Sequence, residues 1–176
     1  MISHLKQGKS VEAKAEIDSQ VRGTVESIIA DVEQRGDAAV RMYSEKFDKW
    51  NPPSLRLSEN EIQDCIDSIG RQSIEDIKFA QAQIRRFAQI QMLSLRDVEI
   101  ETLPGVVLGH KNIPVNSVGC YMPGGKYPMV ASAHMSVLTA KVAGVKRVIA
   151  CAPPFEGKPA AAIIAAMALA GADEIY

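Results

Sequence analysis

The sequence predicts an α/β protein in the order helices, β-hairpin, parallel βαβαβ sheet. Three observations carry that prediction. Charge is concentrated early, with 14 basic and 15 acidic side chains in residues 1–96 and 6 of each in residues 97–176. Apolar residues recur at helical spacing before residue 97, and after it they alternate or form continuous runs, as strands do. Glycines follow several of the helical runs, where a left-handed closing residue is favoured. The expected organisation is a helical N-terminal region over 1–96 and a partial α/β domain over 97–176, the first exposed and amphipathic, the second more deeply buried.

Val21, Val25, Ile28, Ile29 and Val32 place one apolar stripe on a first helix, and Gly36 stands where it should stop. Asp37 can cap a second helix carrying Ala39, Val40, Met42 and Tyr43 as far as Phe47. Asn51-Pro52-Pro53 breaks the chain, and Leu55-Arg56-Leu57 has room for a short strand. Ser58 and Glu61 have capping-box spacing for a helix through Ile62, Cys65, Ile66 and Ile69, closed by Gly70. Ser73 with Asp76 opens a long helix to about Leu93, with Ile77, Ala80, Ile84, Phe87 and Ile90 on one face.

The period then changes. Val98 to Thr102 alternates apolar and polar, Pro104-Gly105 turns, and Val106-Val107-Leu108 resumes, which is a hairpin pattern. From Ser117 the order is strand, loop, helix, strand, helix, strand. The strands are SVGCYM, RVIACA and DEIY, and the helices run from Pro128 to Ala143 and from Pro159 to Ala170. Near-continuous apolar strands separated by helices predict a parallel sheet covered on both faces, a partial Rossmann-like arrangement. Asp173–Tyr176 would leave an open sheet edge. The chain therefore reads as the amino-terminal part, or a remnant, of a larger protein; the alternative is a complete small α/β protein whose edge is covered.

Composition excludes several classes. Hydrophobic residues at 47% and charged residues at 23% describe a globular chain, not a disordered one. Twenty basic against 21 acidic residues leave no basic excess for a nucleic-acid surface. The most apolar stretch, Pro159 to Ala172, is too short to span a bilayer. Cys65, Cys120 and Cys151 are odd in number and contain no CxxC pair, so neither a disulfide framework nor a cysteine zinc site is expected. His4, His110 and His134 lack metal-ligand spacing. The opening MISHLKQGKS has no signal-peptide core, and a reduced cytoplasmic setting is expected.

The chemistry-bearing candidate is Gly119-Cys120-Tyr121-Met122-Pro123-Gly124-Gly125-Lys126-Tyr127-Pro128. It falls between a strand and a helix, at the carboxyl end of the strand, where open α/β sheets bind ligands. Adjacent glycines let backbone approach a ligand, and a helix start offers free amides to an anion. An ordinary strand-to-helix turn would explain the same glycines.

Here the sequence resembles a family. The run from Lys111 to Gly125 is similar to the "P-V-x-x-V-G-x-Y-x-P-G-G" signature of the histidinol dehydrogenase family. Arg35-Gly36-Asp37-Ala38-Ala39-Val40 with Tyr43-Ser44-Glu45-Lys46-Phe47-Asp48 resembles its "R-G-D-x-A-[LV]-x-x-Y-[ST]-x-[KR]-F-D". Pro104-Gly105-Val106, Ala143-Gly144-Val145 to Pro153-Pro154, and Ala170-Gly171-Ala172 with Glu174-Ile175-Tyr176 continue the match in order. The resemblance implies a zinc-dependent, NAD-linked, homodimeric oxidoreductase that converts a small primary alcohol to the carboxylate in two hydride-transfer steps. Of its NAD contacts, the loop tyrosine corresponds to Tyr121, and Pro123, Gly124 and Gly125 belong to the same loop. The resemblance places the zinc ligands and general base beyond this chain, so the chain alone is expected to be inactive and to hold no metal.

The segment Lys126-Tyr127-Pro128-Met129-Val130-Ala131-Ser132-Ala133-His134-Met135-Ser136 is more similar to the branch that includes sulfopropanediol dehydrogenases. An added Lys126 and His134 would suit an anionic alcohol, and these are the substrate-binding candidates. Each has a plainer reading: Lys126 as a solvated or cofactor-phosphate-binding loop residue, His134 as a packed interhelical residue. Arg85-Arg86 read as a solvated face or subunit contact, Cys120 and Cys151 as core, and Trp50 as a dimer or loop anchor. The competing functional readings are an inactive nucleotide-binding-like module and a structural α/β module that binds nothing.

Overall fold

The computed structural model describes residues 11–124 and 127–176, with side chains from residue 15. The expectations placed on Met1–Ser10, including His4, and on Gly125 and Lys126 lie outside the described residues. The chain forms two compact units, one ending at Asn51 and the other Pro52–Tyr176. The compositional change near residue 97 falls inside the second.

The first unit is a pair of helices, α1 (Val11–Arg35) and α2 (Asp37–Asp48). Gly36 separates them with φ 57°, a left-handed value cheap only for glycine. Asp37 is not the cap that its sequence position suggested. Gly36 occupies that place without a side-chain bond, and Asp37 lies in the first turn, where its charge meets the positive helix end. Ala39 is buried, whereas Val21, Val25 and Ile29 remain exposed. Trp50 closes the unit, its amide donating to Ser44 O and its carbonyl accepting from Ser44 Oγ at 2.8 Å.

The second unit begins with an irregular segment. The strand expected at Leu55–Leu57 does not form; the Leu57 amide donates to Ile175 O at 2.9 Å and Arg56 pairs with Glu174 at 3.2 Å, tying the segment to the sheet edge. Helix α3 (Glu59–Ser68) starts with the expected box: Ser58 Oγ accepts from the Glu61 amide, and the Glu61 carboxylate accepts from the Ser58 amide at 2.7 Å. Helix α4 (Arg71–Met92) starts two residues before Ser73. Its boundary residue is Gly70, so Ser73 caps nothing and Gly70 opens α4 instead of closing α3. The buried stripe of α4 runs through Ile77, Gln81 and Ala88, while Phe87 and Ile90 are exposed.

Strands β1 (Val98–Leu103) and β2 (Val106–His110) form the antiparallel hairpin, turned by Gly105 at φ 81°. Every residue in both strands is exposed, so the low charge of this stretch does not mark burial. Alternation fixes a strand pair, but it does not supply a partner surface.

The parallel sheet has the order β3-β4-β5, from Ser117–Tyr121, Arg147–Cys151 and Glu174–Ile175. Between β3 and β4 the helix α5 comprises Val130–Ala133, a π-helical turn His134–Leu138, and Thr139–Val142. Between β4 and β5 lies α6 (Ala161–Ala170), closed by Gly171 at φ 102°. Ile163, Ile164, Ala165, Ala166 and Met167 of α6 are all buried, as a helix apolar around its whole circumference requires. Met122, Leu138, Val148, Ile163, Met167 and Ile175 form the fully buried centre. Each contributes about 1.5–3 kcal/mol by leaving water.

Candidate functional site

The carboxyl ends of β3, β4 and β5 share one edge because the strands are parallel. The alternation along β3 decides what reaches it. Cys120 and Met122 point into the core and are buried, so Tyr121 between them turns outward and is 63% exposed. Met122 N–H donates to Cys151 O at 2.8 Å, which prolongs the ladder past the strand and holds the Tyr121 end against β4. At β4 the Ala152 amide donates to Tyr176 O, and the Tyr176 amide to Ala150 O, fixing the third strand end.

Two loops rise from this edge. After β3 come Pro123, half-buried, and Gly124, buried. A β-carbon on Gly124 would lie 3.2 Å from Ile163 Cδ1 and 3.6 Å from Pro153 Cγ. Gly124 is therefore needed for close packing on α6 and on the loop after β4. Its φ is not left-handed, and the space a side chain would take belongs to protein atoms. After β4, Phe155 and Lys158 pair across a tight turn in which Glu156 and Gly157 have φ 52° and 73°.

Between α3 and these loops is an open cavity of about 300 Å³, lined by Cys65, Ser68, Pro128, Phe155, Lys158 and Ala160 among others. Burial, followed by Asp64 and Glu61, pushes the Cys65 thiol up, so it stays protonated and poorly nucleophilic.

His134 is 5% exposed and does not open onto the strand edge. Its Nδ1 is 3.2 Å from Gln81 Nε2, which also donates to Ala166 O at 2.9 Å. A carbonyl can only accept, so the bridging atom is the amide nitrogen and Nδ1 takes its second N–H. The ring is thus neutral with its proton on Nε2. Burial lowers its pKa. Gln81 was missed in the sequence, although it lies four residues after Ile77 and three before Ile84, on the inward stripe.

Cys120 is core, as expected, but Cys151 is exposed at the strand end beside Tyr121. His110 Nε2 faces Arg96 O at 3.0 Å at the base of the hairpin. Among the described residues no group of three His, Cys, Asp or Glu could hold a metal ion, and no helix is long and apolar enough to cross a membrane.

Comparison with known proteins agrees with the fold. The histidinol dehydrogenase family model matches residues 11–176. The chain is 57% identical over its whole length to a protein of Shouchella clausii named histidinol dehydrogenase homolog, covering 42% of that protein. It is 45% identical over 175 residues to the sulfopropanediol 3-dehydrogenase of Ruegeria pomeroyi, covering 99% of this chain and 40% of that one. Its fold superposes on the crystal structure of histidinol dehydrogenase from Elizabethkingia anophelis with a TM-score of 0.81 at 27% identity, over 98% of this chain and 37% of that one. The chain thus spans about two fifths of the length of the relatives it matches.

Proposed function

The chain belongs to the histidinol dehydrogenase family, and from that premise we propose that it is the amino-terminal part of an NAD-linked dehydrogenase acting on a small primary alcohol. Family membership makes the protein oxidoreductase-like; cofactor, substrate and assembly are the proposal. The observation that carries it is the exposed Tyr121 ring at the carboxyl edge of the parallel sheet, in the Pro123-Gly124 loop. A planar ring with a hydroxyl, exposed at that edge, fits a dinucleotide that must be both stacked against and hydrogen-bonded.

In this reading Tyr121 contacts and orients the dinucleotide, while Pro123 and Gly124 set the loop's path. The hydrogen bond from the Met122 amide to Cys151 O keeps Tyr121 in register with β4. Bound NAD supplies the hydride acceptor that alcohol oxidation needs. The described residues do not fit a zinc ion, so no step on this chain is assigned to one. No described residue at this edge is assigned as the proton acceptor for the alcohol; in a longer family member both would come from elsewhere.

For substrate, the Lys126-to-Ser136 segment and the likeness to a sulfopropanediol 3-dehydrogenase favour a small anionic diol over histidinol. A homodimer in the cytoplasm is the proposed setting. The three unpaired cysteines suit a reducing compartment, and the exposed apolar residues of α1 suit a subunit contact. The test is the full-length protein assayed with NAD on sulfopropanediol and on histidinol. Higher kcat/KM on the sulfonate is expected; efficient histidinol oxidation without sulfonate turnover would reverse the substrate assignment.

A further inference from the structure

We infer that Gln81 and His134 form a positioning pair that holds the π turn of α5 against the end of β3, and so sets the loop carrying Tyr121. The functional half of this inference rests on the reading of Tyr121 as a cofactor contact; the structural half does not.

The two residues are the only buried polar side chains among the described residues. They join three elements through one amide: Gln81 from α4 reaches Ala166 O on α6 and Nδ1 of His134, the first residue of the π turn. A π turn is wider and rarer than an α turn. Two residues later, Ser136 faces the strand. Its Oγ donates to Ser132 O at 2.6 Å and lies 3.4 Å from the sulfur of Met122, the fully buried residue between Tyr121 and Pro123. The turn is therefore gripped on one side by Gln81 and touches the Tyr121 end of β3 on the other.

The grip depends on Nδ1 being an acceptor. Protonation would set an N–H of the ring against an N–H of Gln81, and Gln81 cannot rotate its oxygen inward without facing the Ala166 carbonyl. Few other groups can mask this response. Lys78 is exposed and Arg85 half-buried on α4 beside Gln81, α6 has no titratable side chain, β3 brings Cys120, and α5 itself carries only Lys141.

The experiment follows hydrogen exchange of the Met122 amide in the full-length protein, relative to the Val148 amide in the sheet centre. Variants His134→Leu, Gln81→Leu and His134→Asn are compared, since an asparagine oxygen can replace Nδ1 as acceptor. Exchange at Met122 should rise about tenfold relative to Val148 in the two leucine variants, on the scale of one lost hydrogen bond, and return in His134→Asn. Acidification below pH 6.5 should loosen Met122 in the parent but not in His134→Asn, which also tests the pair if a leucine variant fails to fold. Equal protection of Met122 in all variants, or equal acid response in parent and His134→Asn, would overturn the inference. NAD affinity, measured alongside, separates the two claims. Loosened exchange with unchanged affinity keeps the positioning pair and removes Tyr121 as the cofactor contact, whereas unchanged exchange removes the pair whatever the affinity does.

Discussion

Gly124 packs directly against Ile163: a β-carbon at position 124 would stand 3.2 Å from Ile163 Cδ1, inside ordinary contact distance. The loop after β3 thus sits on α6 with no space for a side chain. Gly124→Val should cost about 1–3 kcal/mol by overpacking, and Gly124→Ala less. Denaturant unfolding of both variants checks this. Stability unchanged by valine would mean that the loop can lift away from α6.

The Ser58–Glu61 box predicts a second cost. Ser58→Ala removes the acceptor for the Glu61 amide and the hydroxyl that lowers the Glu61 pKa. A loss of about 1 kcal/mol is expected, the usual value of an N-cap. No change in the urea midpoint would show that α3 is held by its packing alone.

Asp173 links pH to the sheet. Its carboxylate accepts from Lys141 Nζ and from the Val148 amide at 2.7 Å, and these partners, Lys141 first, hold its pKa below 3.8. A depressed carboxylate stabilises the fold above its unfolded value, and that stability is lost as pH falls through the folded one. Asp173→Asn should therefore cost up to about 1 kcal/mol at pH 7 and flatten the stability loss below pH 4. Acid titrations of the two proteins that run parallel would contradict this.

The scatter of histidines and cysteines leads to a metal prediction. The 176-residue chain by itself should carry no stoichiometric zinc, because the described residues assemble no ligand group. Elemental analysis finding one zinc per chain would refute it.

Much of this architecture was legible because local chemistry and tertiary packing agree. The Ser58–Glu61 box, the Gly36 and Gly171 helix stops, the Pro104-Gly105 turn and the three parallel strands each follow from a residue whose backbone needs are specific. The misreadings have physical causes. Ser73 resembles a cap, but Gly70 already lets the chain enter α4, so the helix begins earlier. Phe87 and Ile90 are apolar at helical spacing, yet the stripe that α6 and the π turn cover is rotated to include Gln81. Leu55–Leu57 has strand composition but meets β5 through one backbone hydrogen bond and the Arg56–Glu174 ion pair, not a ladder. At the candidate site, the exposure of Tyr121 follows from the alternation of β3, whereas the Gln81–His134 bridge joins residues 53 apart and leaves no local pattern. Cys151 reads as core because its strand is apolar, but it is the last residue of β4 and reaches the open edge.

The most direct test of the account is NAD affinity of the full-length protein with Tyr121→Ala, using Tyr121→Phe to separate ring from hydroxyl. Loss of the exposed ring should weaken binding by about 1–3 kcal/mol, roughly 5- to 150-fold, with phenylalanine recovering the stacking part. Tyr121 packs on little else, so thermal stability should hardly change. Unchanged NAD affinity in Tyr121→Ala would contradict the claim that this strand edge is the cofactor site.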